Sequence, residues 1–235
     1  IYGAVNLGWK HMLYFDATLR GDQSSTLPIS NNMYIYPSFS GSFVFSELLK
    51  LGDKLPYGKV RMSWAQVGSD TDPYQLGLVY TKSKFAYPGY TIGYISNGTI
   101  PNKDLKPTKT NSFEMGLELK FLKNRIGLDF TYYSQLSKNQ IMGMASSSTS
   151  GYGYRLINAG EIENKGVEIA LNTRPIQTKD FSWDLNFNFS KNSNKVKKLV
   201  DDMDMFELEK ATWLDVQVAA KVGENFGSIV GPDFQ

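Results

Sequence analysis

Glu161 and Glu163 are the nearest thing in this 235-residue chain to a catalytic pair. They flank Ile162, and residues two apart on a strand point to one face. A retaining glycosidase needs its two carboxyls about 5 Å apart in a shaped pocket that raises the pKa of one of them. The spacing meets the first condition and nothing nearby supplies the second, so the reading kept for the pair is structural or lumen-facing. Asp70-Thr71-Asp72 and the run Asp201 to Glu207 offer oxygens to a hard cation. Neither has the spaced ligands and glycine of a calcium loop, and both read as solvated acidic loops. Gly151-Tyr152-Gly153-Tyr154 lacks the strand–turn–helix setting of a nucleotide loop. Its tyrosines suit stacking on a sugar or peptide, or packing on a neighbouring loop. His11, the one histidine, sits in a tight turn at Lys10–Met12 and reads as exposed and idle. Asn97-Gly98-Thr99 matches a glycosylation sequon of little meaning in a bacterial setting. With no Cys and one His, disulfides, thiolate metal sites and multi-histidine sites are excluded. No catalytic, cofactor-binding or metal residue is assigned, and the ligand-binding residues are unknown.

The elements that would carry such residues are strands. Apolar residues make up 41% and charged residues 20%, which excludes a disordered chain, and a net charge of +2 gives no argument for nucleic acid. Aromatics reach 14%, as strand-rich proteins favour. Period-two patterning predicts nine strands, over about 2–9, 13–22, 36–46, 59–68, 112–121, 126–135, 164–173, 181–190 and 216–223. In the stretch Phe181 to Asn192, Phe181, Trp183, Leu185, Phe187 and Phe189 alternate with Ser182, Asp184, Asn186, Asn188 and Ser190. Short and long connections alternate as well, giving an up-and-down sheet with one quiet end and one elaborated end. Short helices are expected in "FSELLKLGDKL" and "DDMDMFELEKA", and no long one anywhere.

Such strands run to about 9–10 residues, longer than the usual 5–6 and close to the 9–11 of a transmembrane strand. Their polar face is small and neutral, where a soluble sandwich mixes Lys, Glu and Thr. The pattern predicts a membrane barrel, with the apolar stripe on lipid and the polar stripe on a wet lumen. Asp16, Arg20, Glu114, Glu118, Asp129, Glu168, Asp184 and Asn186 are then the lumen-facing set. Trp9, Trp64, Trp183 and Trp213 are candidate interface anchors. A soluble carbohydrate-binding β-sandwich and a glycan-cleaving enzyme stay open as alternatives.

Longer motifs narrow this. "LINAGEIENKGVEIALNTRPI" (156–176), with its Asn158 to Gly166 run, resembles the entry into a late barrel strand of the SusC/RagA-like TonB-dependent outer-membrane transporters of Bacteroidetes-type bacteria. "LKPTKTNSFEMGLELKFLKNRIGLDFTYY" (105–133) is similar to the preceding hairpin and "FSWDLNFNFSKNSNKV" to the following strand. "LRGDQSST", "YPSFSGSFVFSE" and "KVGENFGSIVGPDF" match the same style, the last as a further barrel strand. The resemblance implies a portion of a large antiparallel transmembrane β-barrel, about 22 strands when complete, with a plugged lumen. Residues 1–235 would be its central-to-late wall, without the plug domain. It also implies a nutrient importer with no enzyme activity and no cofactor. A SusD-like surface lipoprotein would cap it, TonB would drive it through the plug, and the cargo would be an oligosaccharide or oligopeptide.

Overall fold

The computed structural model describes residues 1–50, 52–78, 80–84, 88–95, 98–200, 203–211 and 215–232. The described residues form fourteen strands. They are β1 (Tyr2–Trp9), β2 (Leu13–Gln23), β3 (Met33–Val44), β4 (Tyr57–Ser69), β5 (Tyr80–Lys82), β6 (Gly93–Ile95), β7 (Thr99–Ile100), β8 (Thr108–Phe121), β9 (Ile126–Ala145), β10 (Tyr154–Gln177), β11 (Ser182–Lys198), β12 (Met205–Lys210), β13 (Gln217–Lys221) and β14 (Ser228–Val230). One short helix, α1 (Phe45–Leu49), and a 3-10 turn at Gly52–Lys54 fall where "FSELLKLGDKL" predicted helix. No helix among the described residues is long and apolar enough to cross a membrane, which leaves crossing by strands untouched.

The main sheet is a meander in the order β1-β2-β3-β4-β8-β9-β10-β11, with β7 attached to the start of β10. All its long pairings are antiparallel, and chain neighbours are ladder neighbours apart from the excursion between β4 and β8. The quiet end closes tightly. Lys10 and His11 take left-handed φ of 49° and 55°, and Leu122, Lys123 and Asn124 take 50°, 58° and 67°. At the third turn the Thr178 N–H donates to the Phe181 carbonyl at 2.7 Å. The other end carries the long segments 24–32, 70–107 and 146–153.

The ladders sort the side chains into two faces. One row runs Trp9, Leu13, Phe43, Val60, Leu117, Phe130, Ile169, Phe189, and the next-but-one runs Gly58, Leu119, Leu128, Leu171, Phe187. The row between them is Val44, Lys59, Glu118, Asp129, Ala170, Asn188. Among the described residues no second layer covers the apolar face: Phe187 is 60% exposed, Trp183 46% and Leu185 41%. That removes the sandwich reading, in which these residues would lie in a core.

The apolar belt also slides along the strands. On β2 it runs from Leu13 to Leu19, and on β11 from Trp183 to Phe189. The row of Leu13 is the row of Phe189, so the belt's lower edge on β2 is level in the ladder with its upper edge on β11. Six residues are crossed in six strand-to-strand steps, about one residue per strand, as tilted strands crossing a flat slab require.

Three expectations are corrected. The wall strands reach 11–24 residues beyond β1, because polar pairing continues past the belt into water where the alternation no longer shows; much of the supposed loops at 136–145, 154–163 and 191–198 is ladder. The stretch "DDMDMFELEKA" holds strand β12, not a helix. Phe206 is buried between exposed Met205 and Glu207, a period-two pattern, and β13 supplies its partner edge. Val196 of the wall exchanges backbone hydrogen bonds with Gly223 and Glu224 at 2.8 and 2.9 Å, but the predicted strand 216–223 and the tail after it do not continue the wall's ladder. They form a separate sheet β12-β13-β14, whose strands of 3–6 residues are too short to span a bilayer. Phe206 and Ala220 of this sheet pack with Val196 and Leu199, against Met142 and Met144, beyond the end of the belt.

Phe187→Arg should cost about 2–4 kcal/mol on the lipid face and cripple assembly, whereas Asn186→Leu on the opposite face should assemble. Heat-modifiable gel mobility of the full-length receptor measures both, and normal assembly of the arginine variant alone would mean the faces are reversed.

Candidate functional site

The candidate site is the polar face of the wall. All eight residues of the lumen-facing set lie on it, since each occupies a ladder row between apolar rows. They form local pairs and not one cluster. Asp16 on β2 accepts from the Asn6 side chain on β1 and from the Ser40 hydroxyl on β3, the latter at 3.2 Å. Arg20 is paired with Asp22 at 2.8 Å, and Arg174 with Asp184 at 2.6 Å near the tight turns. Asn186 lines, with Asp184, Arg174 and Lys120, an open groove of about 550 Å³. Glu168 lines another of about 390 Å³, together with Arg61, Asp129, Asn188 and Ser190. Glu114 shares a third of about 250 Å³ with Asp16, Lys59 and Arg61. Glu118 lies 3.7 Å from Lys120.

The central feature escaped the pattern analysis. Arg61 on β4 forks onto Asp129 on β9 with both guanidinium nitrogens, at 2.9 and 2.7 Å, and also donates to the Thr131 hydroxyl at 2.7 Å. Strand β8 lies between them. The row there is Arg61, Gly116, Thr131, and a Cβ built on Gly116 would stand 2.4 Å from Arg61 Nε. The arginine therefore crosses the middle strand through the space that glycine leaves. The same device recurs two strands on. Tyr133 crosses Gly166 to donate to Asn192 at 3.3 Å, and a Cβ on Gly166 would meet the Tyr133 hydroxyl at 2.4 Å. A bidentate Arg–carboxylate pair fixes geometry as well as charge. These bridges stiffen the wall across alternate strands and neutralise it locally.

The motif run 158–166 now has a physical account. The Asn158 amide donates to the carbonyls of Lys106 and Asn139 at 2.7 and 3.1 Å and accepts from the Lys106 N–H at 2.8 Å, clipping the long segment onto the wall. Leu105 and Ala159 beside it are buried. Gly160 has φ of +78°, which a side chain rarely adopts, and stands against the Lys198 carbonyl. Glu161 and Glu163 sit on the apolar face, above the belt, and not in the lumen. Glu161 pairs with Lys138 at 3.3 Å, and Glu163 with Lys165 and Lys197 at 2.9 and 3.5 Å. Residues two apart on a strand share a face, and lysines at that height of the sheet draw both carboxylates outward.

The other candidates are structural in their contacts. Asp70 accepts from the Ser24 hydroxyl at 2.5 Å, joining two long segments. Asp201 and Asp202 lie outside the described residues, as do Asn97 of the sequon and Trp213. Gly153 and Tyr154 donate backbone N–H groups to the Gly98 carbonyl at 2.7 and 3.1 Å, so the glycine–tyrosine run packs on a neighbouring loop while the Tyr154 ring stays exposed. His11 is exposed. Trp9 and Trp183 mark the belt edge near the tight turns, and Trp64, stacked on Phe39 with centroids 6.0 Å apart, marks the other edge.

An apolar belt on one face, polar and charged residues on the other and tight turns at one end define an integral outer-membrane β-barrel wall. The family model for the TonB dependent receptor-like β-barrel matches residues 1–215. TonB-dependent receptor P3 of Formosa agariphila is 29% identical over the whole chain, and TonB-dependent receptor SusC of Bacteroides thetaiotaomicron is 30% identical over 87% of it. Among solved structures, the RagAB peptide transporter superposes on 95% of the chain with a TM-score of 0.84 at 23% identity. The siderophore receptor PirA from Pseudomonas aeruginosa follows over 93% at 0.54. The chain belongs to the TonB-dependent receptor β-barrel family. It spans about a quarter of the length of these relatives, 24% of P3 and 21% of SusC.

Gly116→Ala should destabilise the full-length barrel by about 1–3 kcal/mol through overpacking against Arg61. Adding Arg61→Ala should recover part of that loss, because the two share one space. Urea unfolding of the four proteins in a double-mutant cycle measures the coupling, and strictly additive losses would mean the arginine does not cross at Gly116.

Proposed function

We propose that this chain is wall and mouth of an outer-membrane importer that takes up oligosaccharides or oligopeptides with a SusD-like surface lipoprotein, driven by TonB acting on a plug domain. The carrying observation is the two-faced wall: a lipid-facing belt backed by a polar face on which Arg61–Asp129 and Arg174–Asp184 are ion pairs, while Glu114, Glu168 and Lys59 have no ion-pair partner among the described residues. Its grooves are open and lined by Ser, Thr and Asn together with charges of both signs, which suits a polar, hydrogen-bonding cargo. Tyr34, half-buried at the loop end beside Asp22 and packed on the buried Tyr36 with ring centroids 5.0 Å apart, is the one ring of this pair with area left for a sugar or a peptide bond. The likeness to the RagAB peptide transporter supports an importer and the peptide branch of the cargo class. No chemistry is performed on the cargo. The wall holds still while lid and plug move.

The test is growth of a receptor-deletion strain complemented with the full-length gene, on oligopeptides or oligosaccharides as sole source, with and without TonB. Rescue should require TonB. Replacing residues 146–153 by a short Gly-Ser turn should weaken lipoprotein co-purification while leaving the barrel assembled. Rescue without TonB, or lipoprotein co-purification unchanged by the loop replacement, would exclude the importer reading.

A further inference from the structure

We infer that the outer rim of this wall, on the loop side of the apolar belt, binds a phosphate-bearing glycolipid of the outer leaflet. The lipid-facing rows on the last four wall strands end in lysines. Lys191 follows Phe189 by two residues on β11 and shares its face, and Lys165 precedes Val167 in the same way on β10. Lys109 on β8 is ladder-paired with Lys138 on β9, and Lys195 and Lys197 continue β11. Among the described residues of the wall strands the carboxylates beside these lysines are Glu161 and Glu163, and both are already engaged by Lys138, Lys165 and Lys197; Glu224, whose backbone pairs with Val196, is held by Lys221 at 2.7 Å. Lys109, Lys191 and Lys195 are exposed and have no carboxylate partner among the described residues. The concentration is one-sided, because the corresponding stretch of β2 and β3 carries Gly21, Ile35 and Met33 in place of charge.

Lysines two residues from a lipid-facing Phe keep their stems on acyl chains and lift their ammonium groups to headgroup height. Excess cations there are matched by anions, and the anions continuous with the acyl chains of the belt are headgroup phosphates. The ladder holds the lysines in a fixed array, so the glycolipid would sit against β8–β11 as a bound neighbour. The inference rests on the membrane placement of the wall and is independent of the cargo.

The experiment uses the full-length receptor in neutral-detergent micelles, with a lipid A-type glycolipid, the same glycolipid after enzymatic removal of its phosphates, and inorganic phosphate as competitor. Native mass spectrometry after gel filtration reads glycolipid retained, and heat-modifiable mobility confirms assembly. The phosphorylated form should be retained in preference. Lys191→Gln with Lys195→Gln, which breaks no ion pair, should lower retention by about fivefold or more. Glu161→Gln with Glu163→Gln moves the charge the other way and should raise it. Lys59→Gln, on the polar face, should leave it unchanged. Equal retention across the assembled variants, equal retention of the dephosphorylated glycolipid, or full displacement by inorganic phosphate would overturn the proposal, the last by assigning the patch to free anions.

Discussion

Hydrocarbon offers no partner to a peptide group, so every N–H and C=O that enters it must be paired within the protein. The rest of this structure follows from that constraint. A chain-order meander is the simplest way to give each interior strand a neighbour on both sides, and β2, β3, β4, β8, β9 and β10 all have two. With the backbone satisfied by the ladder, side chains are free to divide by solvent. The protein is therefore inside-out through most of its height, and its buried groups are few. Leu27, Leu105, Ile157 and Ala159, and the second cluster around Val196 and Phe206, all belong to segments above the belt, where water again drives burial.

The polar face meets a different demand. Charges lining a channel are tolerable when wet or paired, and here the pairing reaches across strands. Arg61 and Tyr133 each pass over a glycine on the strand between them and their partner. Strands that are already neighbours by hydrogen bonds become coupled to next neighbours by side chains. A wall built this way is braced across alternate strands.

The lipid-facing alternation was legible in the sequence because the bilayer imposes it residue by residue. Leu13 to Leu19, Phe113 to Phe121 and Trp183 to Phe189 declare their faces without any knowledge of partners. Legibility fails where that pressure stops. Beyond Lys138 and Lys191 the strands continue in water with no period to read, so their true lengths were hidden. The short strand at Met205–Lys210 was mistaken for a helix because its pattern covers only six residues and its partner lies further along the chain. Arg61 and Gly116 were invisible for another reason. Their relation depends on ladder register between β4 and β8, which no single strand encodes. Glu161 and Glu163 were recognisable as a same-face pair, yet which face they shared depended on counting back from Val167 through the motif run.

The slide of the belt by about one residue per strand bears on how such a wall can change length over time. Removing one residue from β9 would turn Phe130 and Leu128 toward water and Asp129 toward acyl chains, unless an irregularity like the register shift between Thr173 and Ile176 absorbs the step. Removing two would keep every side chain on its own side and merely shift that ribbon's greasy stretch up or down by two positions. Even steps are thus the length changes the spanning ribbons absorb at least cost, while the segments above them can gain or lose residues singly.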